Sequence, residues 1–125
     1  GFAGRNKPDV QFKCASIKDG EILWEDDMQY QQKVQGRNLT LSFFRGSLLN
    51  CDGRVFALGE DGVFAELKIS PKEVKVTSRS QLFIAEQSWA LPVIHRGLLY
   101  ICQHTKGFVD NTVPRIICYD FREVE

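Results

Sequence analysis

Cysteine and histidine are the residues of this chain with the most versatile chemistry, because their side chains bind metals and transfer protons. No two cysteines are separated by two residues, and neither histidine follows a cysteine at the spacing of a zinc finger. The spacing argues against a zinc site and predicts small buried thiols. One disulfide stays open if the protein is exported, and the sequence favours no pairing among Cys14, Cys51, Cys102 and Cys118.

The densest group of carboxylates is formed by Glu25, Asp26 and Asp27. A calcium ion takes about six to eight oxygen ligands, which requires more donors gathered in one loop. We therefore expect a solvated turn here, and the sequence predicts neither a metal site nor a bound cofactor. His95 is expected in an exposed turn.

A long segment, "HTKGFVDNTVP" at 104–114, exceeds what a β-hairpin needs. Long loops on a rigid sheet tend to be mobile or functional, so we expect the greatest disorder between Thr105 and Val113. This loop is the predicted ligand or partner surface, although no catalytic constellation is predicted in the chain. The candidate surface residues are His104, Lys106, Phe108 and Asp110.

The composition restricts the classes of partner. The 125 residues suffice for one domain, and 43% hydrophobic with 26% charged residues is a globular composition. Sixteen basic and sixteen acidic residues cancel, which leaves no basic excess for nucleic acid or an anionic membrane. No apolar run approaches the roughly 18 residues of a membrane span, so no membrane insertion is expected.

The elements that position these residues are predicted to be β-strands, because short apolar runs alternate without the rhythm of an amphipathic helix. We expect about nine strands and no certain helix. The turns between them place glycine after a polar residue, as in Asp52-Gly53 and Arg96-Gly97, where glycine supplies a positive φ. The polar stretch 26–38 is predicted to be a loop or a short helix.

Two of these strand pairs repeat each other. The run "SLLNCDGRVFALG" (47–59) aligns with "LPVIHRGLLYICQ" (91–103) at a constant spacing of 44 residues. Both read as an apolar strand, a turn ending in glycine, and a second apolar strand with an aromatic residue at the same place. The aligned pairs include Gly53 with Gly97 and Phe56 with Tyr100.

The following strand of each unit aligns a small residue, in the order Cys14, Ala65 and Cys118. Since this position is taken to face inward, both cysteines are expected to be buried and unreactive. In the fourth strand, Phe83 is expected to take the place of Trp24. A four-strand unit would then recur about every 45 to 50 residues, the period of a β-propeller blade.

The predicted fold is all-β, a partial β-propeller of two to three four-stranded antiparallel blades with nine strands in a single domain. Strands c and d of one blade are placed at 12–25, a complete blade at 46–83, and strands a to c of the last blade at 88–123. Closed rings have about four to eight blades. A chain this short would therefore leave strand edges and apolar blade faces open.

At these residues the sequence resembles the PQQ-like, or quinoprotein alcohol dehydrogenase-like, β-propeller repeat. The run "FKCASIKDGEILW" matches the second half of that repeat. "SWALPVIHRGLLYICQ" followed by "RIICYDFRE" is similar to the last blade of such propellers in exported bacterial proteins. The central unit departs from the pattern, with phenylalanine for tryptophan and no Thr-Gly turn after Lys68. The repeat positions matched are Gly20, Trp24, Gly53, Trp89, Gly97 and Asp120.

The resemblance implies a C-terminal fragment of a bacterial repeat protein that is periplasmic or otherwise exported. Trp24 and Trp89 are expected to pack between blades, since an indole covers much apolar area. Asp120 occupies the aspartate position of the repeat and is expected to cap the following turn.

The family contains two functional kinds. Some members are dehydrogenases that bind pyrroloquinoline quinone with calcium, and others keep the fold but bind proteins. The adjacent cysteine pair of the alcohol dehydrogenase branch is absent from this sequence. We therefore expect a non-catalytic scaffold that binds a protein or ligand, its partner being a separate protein or the rest of a larger propeller.

Two alternatives stay open: part of a PQQ-dependent dehydrogenase, and an extracytoplasmic sensor domain of a larger receptor. Whichever of these functions the chain has, open strand edges and uncovered apolar faces favour association. We therefore expect a homo-oligomer of this chain.

Overall fold

Twelve β-strands and no helix make up residues 1–122, the part of the chain that this computed structural model describes. The all-β prediction is confirmed, with three strands more than the nine expected. The predicted end of the third unit, at residue 123, lies outside the described residues. The strands are β1 (Phe2–Gly4), β2 (Val10–Ala15), β3 (Ile22–Asp26), β4 (Gln29–Val34), β5 (Arg37–Ser42), β6 (Gly46–Cys51), β7 (Arg54–Gly59), β8 (Val63–Ile69), β9 (Val74–Gln81), β10 (Val93–His95), β11 (Leu98–Gln103) and β12 (Arg115–Asp120).

These strands form four antiparallel sheets in which each strand pairs with its neighbours in sequence. The first sheet has the order β1-β2-β3, the middle sheet β6-β7-β8-β9, and the last sheet β10-β11-β12. Strands β4 and β5 form a separate hairpin. The order of sheets along the chain follows the order of the three predicted units.

The turns of the middle and last sheets follow directly from their sequence. Asp52 and Gly53 have φ of 50° and 74°, and Arg96 and Gly97 have φ of 49° and 75°. Positive φ at both central residues of a two-residue loop is the type I′ geometry, whose twist matches that of paired strands. Both predicted hairpins are confirmed.

The β4–β5 hairpin corrects the prediction of a loop or short helix at 26–38. Its turn residues, Gln35 and Gly36, have φ of 47° and 79° and thus repeat the same turn type. Strand β4 alternates exposed and half-buried residues, with Tyr30 packed against the core. The prediction was wrong because polar residues occupy both faces of β4, with Gln32 at a half-buried position, and hide the alternation, although the turn signal was present.

Two hydrophobic clusters cover opposite faces of the middle sheet. Neighbouring residues of β7 divide between them: Ala57 belongs to the first cluster and Leu58 to the second, as the alternation of a strand requires. The first cluster contains Phe12 from the first sheet, and the second contains Leu99 from the last sheet. The three sheets therefore stack face to face, with the middle sheet buried between the other two.

Strand pairing corrects the register of the sequence repeat. Phe56 pairs with Glu66 in the middle sheet, and Tyr100 pairs with Cys118 in the last sheet. Because Phe56 and Tyr100 are equivalent, Cys118 corresponds to Glu66 and not to Ala65. A slip of one residue moves every side chain of a strand to the opposite face.

The corrected spacing is 52 residues and aligns Phe12, Phe64 and Ile116 in β2, β8 and β12. The expectation that both cysteines are buried is wrong, since Cys14 is half-buried and Cys118 is exposed. Only Ala65, on the opposite face of its strand, has the buried environment that was assigned to them.

Phe83 does not take the place of Trp24. Trp24 lies inside β3, opposite Cys14, whereas Phe83 follows the end of β9 at Gln81 by two residues. Phe83 is nevertheless buried in the second cluster. It anchors the connection to the last sheet and does not belong to a fourth strand.

Candidate functional site

The far side of the last sheet is an apolar surface without a cover among residues 1–122. Its side chains alternate along β11 with Leu99 and Ile101, which are buried against the middle sheet. Ile116 is 77% exposed, Val93 53% and Tyr100 37%. We call this surface the open face. Its apolar residues and cysteines are Val93, Leu98, Tyr100, Cys102, Ile116 and Cys118, and His95, paired with Leu98, lies at one end of it.

The open face has no charged residue at its centre. Val93, Tyr100 and Cys118 are paired in one row across the three strands. Asp120, at one end, accepts hydrogen bonds from the Nε and backbone nitrogen of Arg122 at 2.8 and 3.0 Å. These bonds lower the pKa of Asp120 to about 2, so the carboxylate stays ionised and the Arg122 guanidinium balances its charge. The predicted turn-capping role of this aspartate agrees with its bond to the Arg122 backbone.

The opposite end of the stack carries charged side chains. On the outer side of the first sheet, Lys13 and Glu25 face each other across β2 and β3 and form an ion pair of 2.7 Å. Gln11 donates a hydrogen bond of 3.2 Å to Asp27 beside them. Leu23, two residues from Glu25 on β3, is 47% exposed on the same side. The outer side of the first sheet is therefore mixed, with charged residues at its centre, whereas the open face is apolar there.

The loop at 104–114 is held by a buried amide that the sequence analysis did not select. Gln103 is 0% exposed, and its Nε2 donates to the Thr105 carbonyl and the Thr112 hydroxyl, both at 3.0 Å. Its Oε1 accepts a bond of 3.1 Å from Arg115. A polar residue at an inward position of the apolar strand "LLYICQ" was the available signal.

Asp110, one of the predicted surface residues, shapes this loop. It accepts hydrogen bonds from the Thr112 backbone at 3.1 Å and the Thr112 hydroxyl at 2.9 Å. These bonds hold the pKa of Asp110 below its ordinary value. Gly107 lies against the Asp110 carboxylate, where a Cβ atom would collide with it. Asp110, Thr112 and Gly107 therefore stabilise the conformation of the loop itself.

The other predicted residues of the loop lie along the neighbouring connection at 82–92. His104 places Nδ1 2.7 Å from the carbonyl oxygen of Gln87, and the Phe108 backbone donates to the Ile84 carbonyl at 2.7 Å. The Phe108 ring is 74% exposed, and Lys106 is exposed as well.

Within residues 1–122 no hydrogen bond or ion pair joins any two of the four predicted residues, and they form no catalytic cluster. Disorder in this loop stays a prediction.

Trp89 belongs to an ionic cluster around the buried carboxylate of Glu60. Glu60 is 1% exposed and accepts two bonds from Arg45, of 3.1 and 2.7 Å, and one of 3.2 Å from the Trp89 indole. The Arg45 guanidinium lies 4.9 Å from the centre of the Trp89 ring. Burial raises the pKa of Glu60, but Arg45, Lys7 and Trp89 outweigh it and leave the pKa below its ordinary value.

Trp24 packs between the first and middle sheets. Its ring lies 5.6 Å from that of Phe12, and its indole nitrogen donates a bond of 2.9 Å to the Ser70 carbonyl of the middle sheet. Trp89, in contrast, is 51% exposed and lies in the connection at 82–92. The two tryptophans therefore differ, one packing between sheets and the other half-open at the surface.

No three side chains of the metal-binding types converge in the part of the chain described. All four cysteines are free, so none of the disulfides left open by the sequence is formed. Across residues 1–122 there is no helix of the length and hydrophobicity needed to cross a membrane.

No family model, curated protein or solved structure matches this chain. The resemblance to the PQQ-like repeat therefore rests on the residues that carry it.

Proposed function

We propose that this chain is a non-catalytic binding module of the β-propeller type, which acts through protein–protein contact. The observation that carries the proposal is the open face. Ile116 is equivalent to Phe12 and Phe64, which are 1% and 7% exposed because each faces the next sheet of the stack. The equivalent surface of the last sheet has the same apolar character and lacks such a sheet within residues 1–122.

The chemistry of the open face favours a protein partner. Contiguous exposed apolar surface on a sheet is unusual in monomers and marks interaction sites. Apolar side chains at the centre with charges confined to the rim are typical of such contacts. A second copy of the chain can supply this surface through a two-fold contact of open face against open face. The outer side of the first sheet, with Lys13 and Glu25 at its centre, is a poorer partner for the open face.

The titratable residues support a role other than catalysis. Asp110 is bonded to Thr112, Asp120 to Arg122 and Glu60 to Arg45, so each carboxylate already has a structural partner. By the family resemblance, the module belongs to an exported or periplasmic protein. In the two alternatives, part of a PQQ-dependent dehydrogenase or the sensor domain of a receptor, the same stack of sheets would have a different functional role.

The first experiment measures self-association. Light scattering at micromolar concentration is expected to give a dimer or higher oligomer, with over about 1,000 Å² buried in total. Ile116→Lys should shift the protein to monomer because it places a charge on the open face. Ile17→Lys is the matched control, since Ile17 is fully exposed in a turn of the first sheet. A monomeric wild type, or equal effects of both variants, contradicts the proposal.

The second experiment tests the dehydrogenase alternative. Pyrroloquinoline quinone and calcium are added to the chain, and the quinone absorbance and dye-linked oxidation of alcohols or sugars are recorded. We expect neither tight quinone binding nor oxidation. Tight binding together with turnover overturns the non-catalytic role.

A further inference from the structure

The middle sheet extends one strand beyond the last sheet. Among residues 1–122 it has four strands, whereas the last sheet has three, with β12 at its edge. Beside β12 and over β8 and β9 lies a groove of about 470 Å³, which we call the β12 groove. The side chains that line it come from all three strands and from β7, and they include Phe56, Phe64, Ser78, Ser80, Tyr119 and Phe121.

The floor and one wall of the β12 groove are aromatic. The rings of Phe56 and Phe64 stack with centres 5.5 Å apart and planes inclined by 4°. Arg54 lies over Phe56 at 5.2 Å and donates two bonds of 2.8 Å to Glu66. That ion pair neutralises itself, and the guanidinium of Arg79, which also borders the groove, donates to the Gln31 carbonyl and the Gln32 side chain instead. The floor of the groove therefore offers mainly apolar contact.

The edge of β12 that borders the groove has free backbone groups. The Phe121 backbone donates a bond of 2.8 Å to the carbonyl of Gly97, next to β11. Backbone groups of an antiparallel strand alternate in direction from residue to residue. The N–H and C=O groups of Ile116, Cys118 and Asp120 therefore point away from β11, and no strand of residues 1–122 pairs with them.

The other two sheets fill this position with a strand. Cys14 of β2 is paired with Trp24 of β3, and Glu66 of β8 is paired with Ser78 of β9. In the described part of the chain Cys118, at the corrected spacing of 52 residues from Glu66, has a strand partner on its β11 side only. Both equivalent pairings are antiparallel.

We propose that the β12 groove binds one extended peptide segment, which adds to β12 as an antiparallel fourth strand. Every second side chain of this segment lies against Phe56 and Phe64, so the segment carries aliphatic residues at alternate positions. The inference rests on the proposed protein-binding function and names the class of partner, an unpaired strand of alternating apolar and polar residues.

A second copy cannot supply its own β12 here. In that copy too, the four-stranded sheet projects beyond β12 by the width of β9. If β12 of one copy paired with β12 of a second copy, the projecting β9 of the first copy would lie where β8 of the second copy lies. The two middle sheets would then collide. The groove therefore accepts a single extended segment and excludes the edge of another stacked domain.

The test uses a synthetic octapeptide of alternating threonine and valine with a lysine at each end, added to the full chain. Amide hydrogen exchange and ¹H–¹⁵N NMR spectra are recorded. We expect slowed exchange at the amides of Ile116, Cys118 and Asp120. No protection on this edge at saturating peptide overturns the inference.

Two N-methylated versions of the peptide give the matched chemical control. In an extended peptide the valine N–H groups point to one side and the threonine N–H groups to the other. Methylation of one set should weaken binding at least tenfold, and methylation of the other should leave it unchanged. Equal effects of both sets would show nonspecific apolar adhesion without strand pairing and would refute the inference.

Two variants of β9 localise the peptide. Ser80→Trp fills the groove at an exposed position, and we expect at least a tenfold loss of peptide affinity. Lys75→Trp, on the same strand but outside the groove lining, should retain it. Equal affinity of Ser80→Trp and wild type would place the peptide elsewhere. If the peptide fails to bind while Ile116→Lys still abolishes self-association, this inference is wrong and the proposed function stands.

Discussion

Phe64 and Ile116 occupy equivalent places in β8 and β12, 52 residues apart, yet Phe64 is 7% exposed and Ile116 is 77% exposed. The difference arises from neighbours and not from the strands themselves. Phe64 faces the last sheet, whereas Ile116 faces away from the stack. The same strand position therefore lies in the hydrophobic core in the middle sheet and on the open face in the last sheet.

The reactivity of two cysteine thiols should reflect this difference in exposure between the sheets. Under native conditions at low protein concentration, Cys118 should react with a maleimide faster than Cys14, since Cys118 is exposed on the open face and Cys14 is half-buried between sheets. Mass spectrometry of peptides after brief labelling measures both rates. Raising the protein concentration should protect Cys118, because the proposed self-association through the open face would cover it. Faster labelling of Cys14 would contradict the stacking of the sheets.

Removal of the Gln103 amide should loosen the loop at 104–114. Gln103→Ala leaves loop carbonyls and the Arg115 side chain without their buried partner, which should lower the free energy of unfolding by about 1–3 kcal/mol. Urea denaturation measures the loss. Gln29→Ala, at an exposed position, serves as the control and should change stability by less than about 0.5 kcal/mol. A similar effect of both substitutions would count against the structural role of Gln103.

The pH dependence of stability should change when Glu60 is replaced. Its pKa is lower in the folded chain than its ordinary value of 4.5, so its stabilising contribution is present above about pH 4.5 and disappears as the pH falls through the folded pKa. Glu60→Gln should destabilise the protein at pH 7 and make the loss of stability in acid shallower. Thermal unfolding between pH 3 and pH 7 measures both effects. Parallel curves for the variant and the wild type would exclude this contribution.

A substitution at Gly53 should change the stability of the protein through backbone conformation alone. Gly53 has φ of 74°, and no heavy atom beyond its two chain neighbours lies within 4 Å of the position that a Cβ would take, so a side chain meets no tertiary contact there. Gly53→Ala should lower the free energy of unfolding by about 1–2 kcal/mol, the cost of a left-handed conformation. Gly53→Asn should lose less, because asparagine adopts this conformation more readily. Chemical denaturation compares the two, and an equal loss would point to a cause other than φ.

Several features followed from the sequence because they depend on neighbouring residues. The Asp52-Gly53 and Arg96-Gly97 pairs predicted hairpins correctly, since positive φ is a property of the turn residues themselves. The short alternating runs predicted an all-β chain for the same reason. The signal at Gln35-Gly36 was equally local, and the polar composition of β4 concealed it.

Other features were decided only by tertiary structure. Alternation shows that a strand has two faces, but not which one is covered. Which face is covered depends on the strand register and on the sheet that packs against it. The sequence alignment matched Cys118 with Ala65, whereas strand pairing shows that its counterpart is Glu66, on the opposite face of β8. The buried amide of Gln103 and the open face around Ile116 likewise depend on which sheet packs where. Burial is a relation between distant segments, and the sequence of one segment cannot specify it alone.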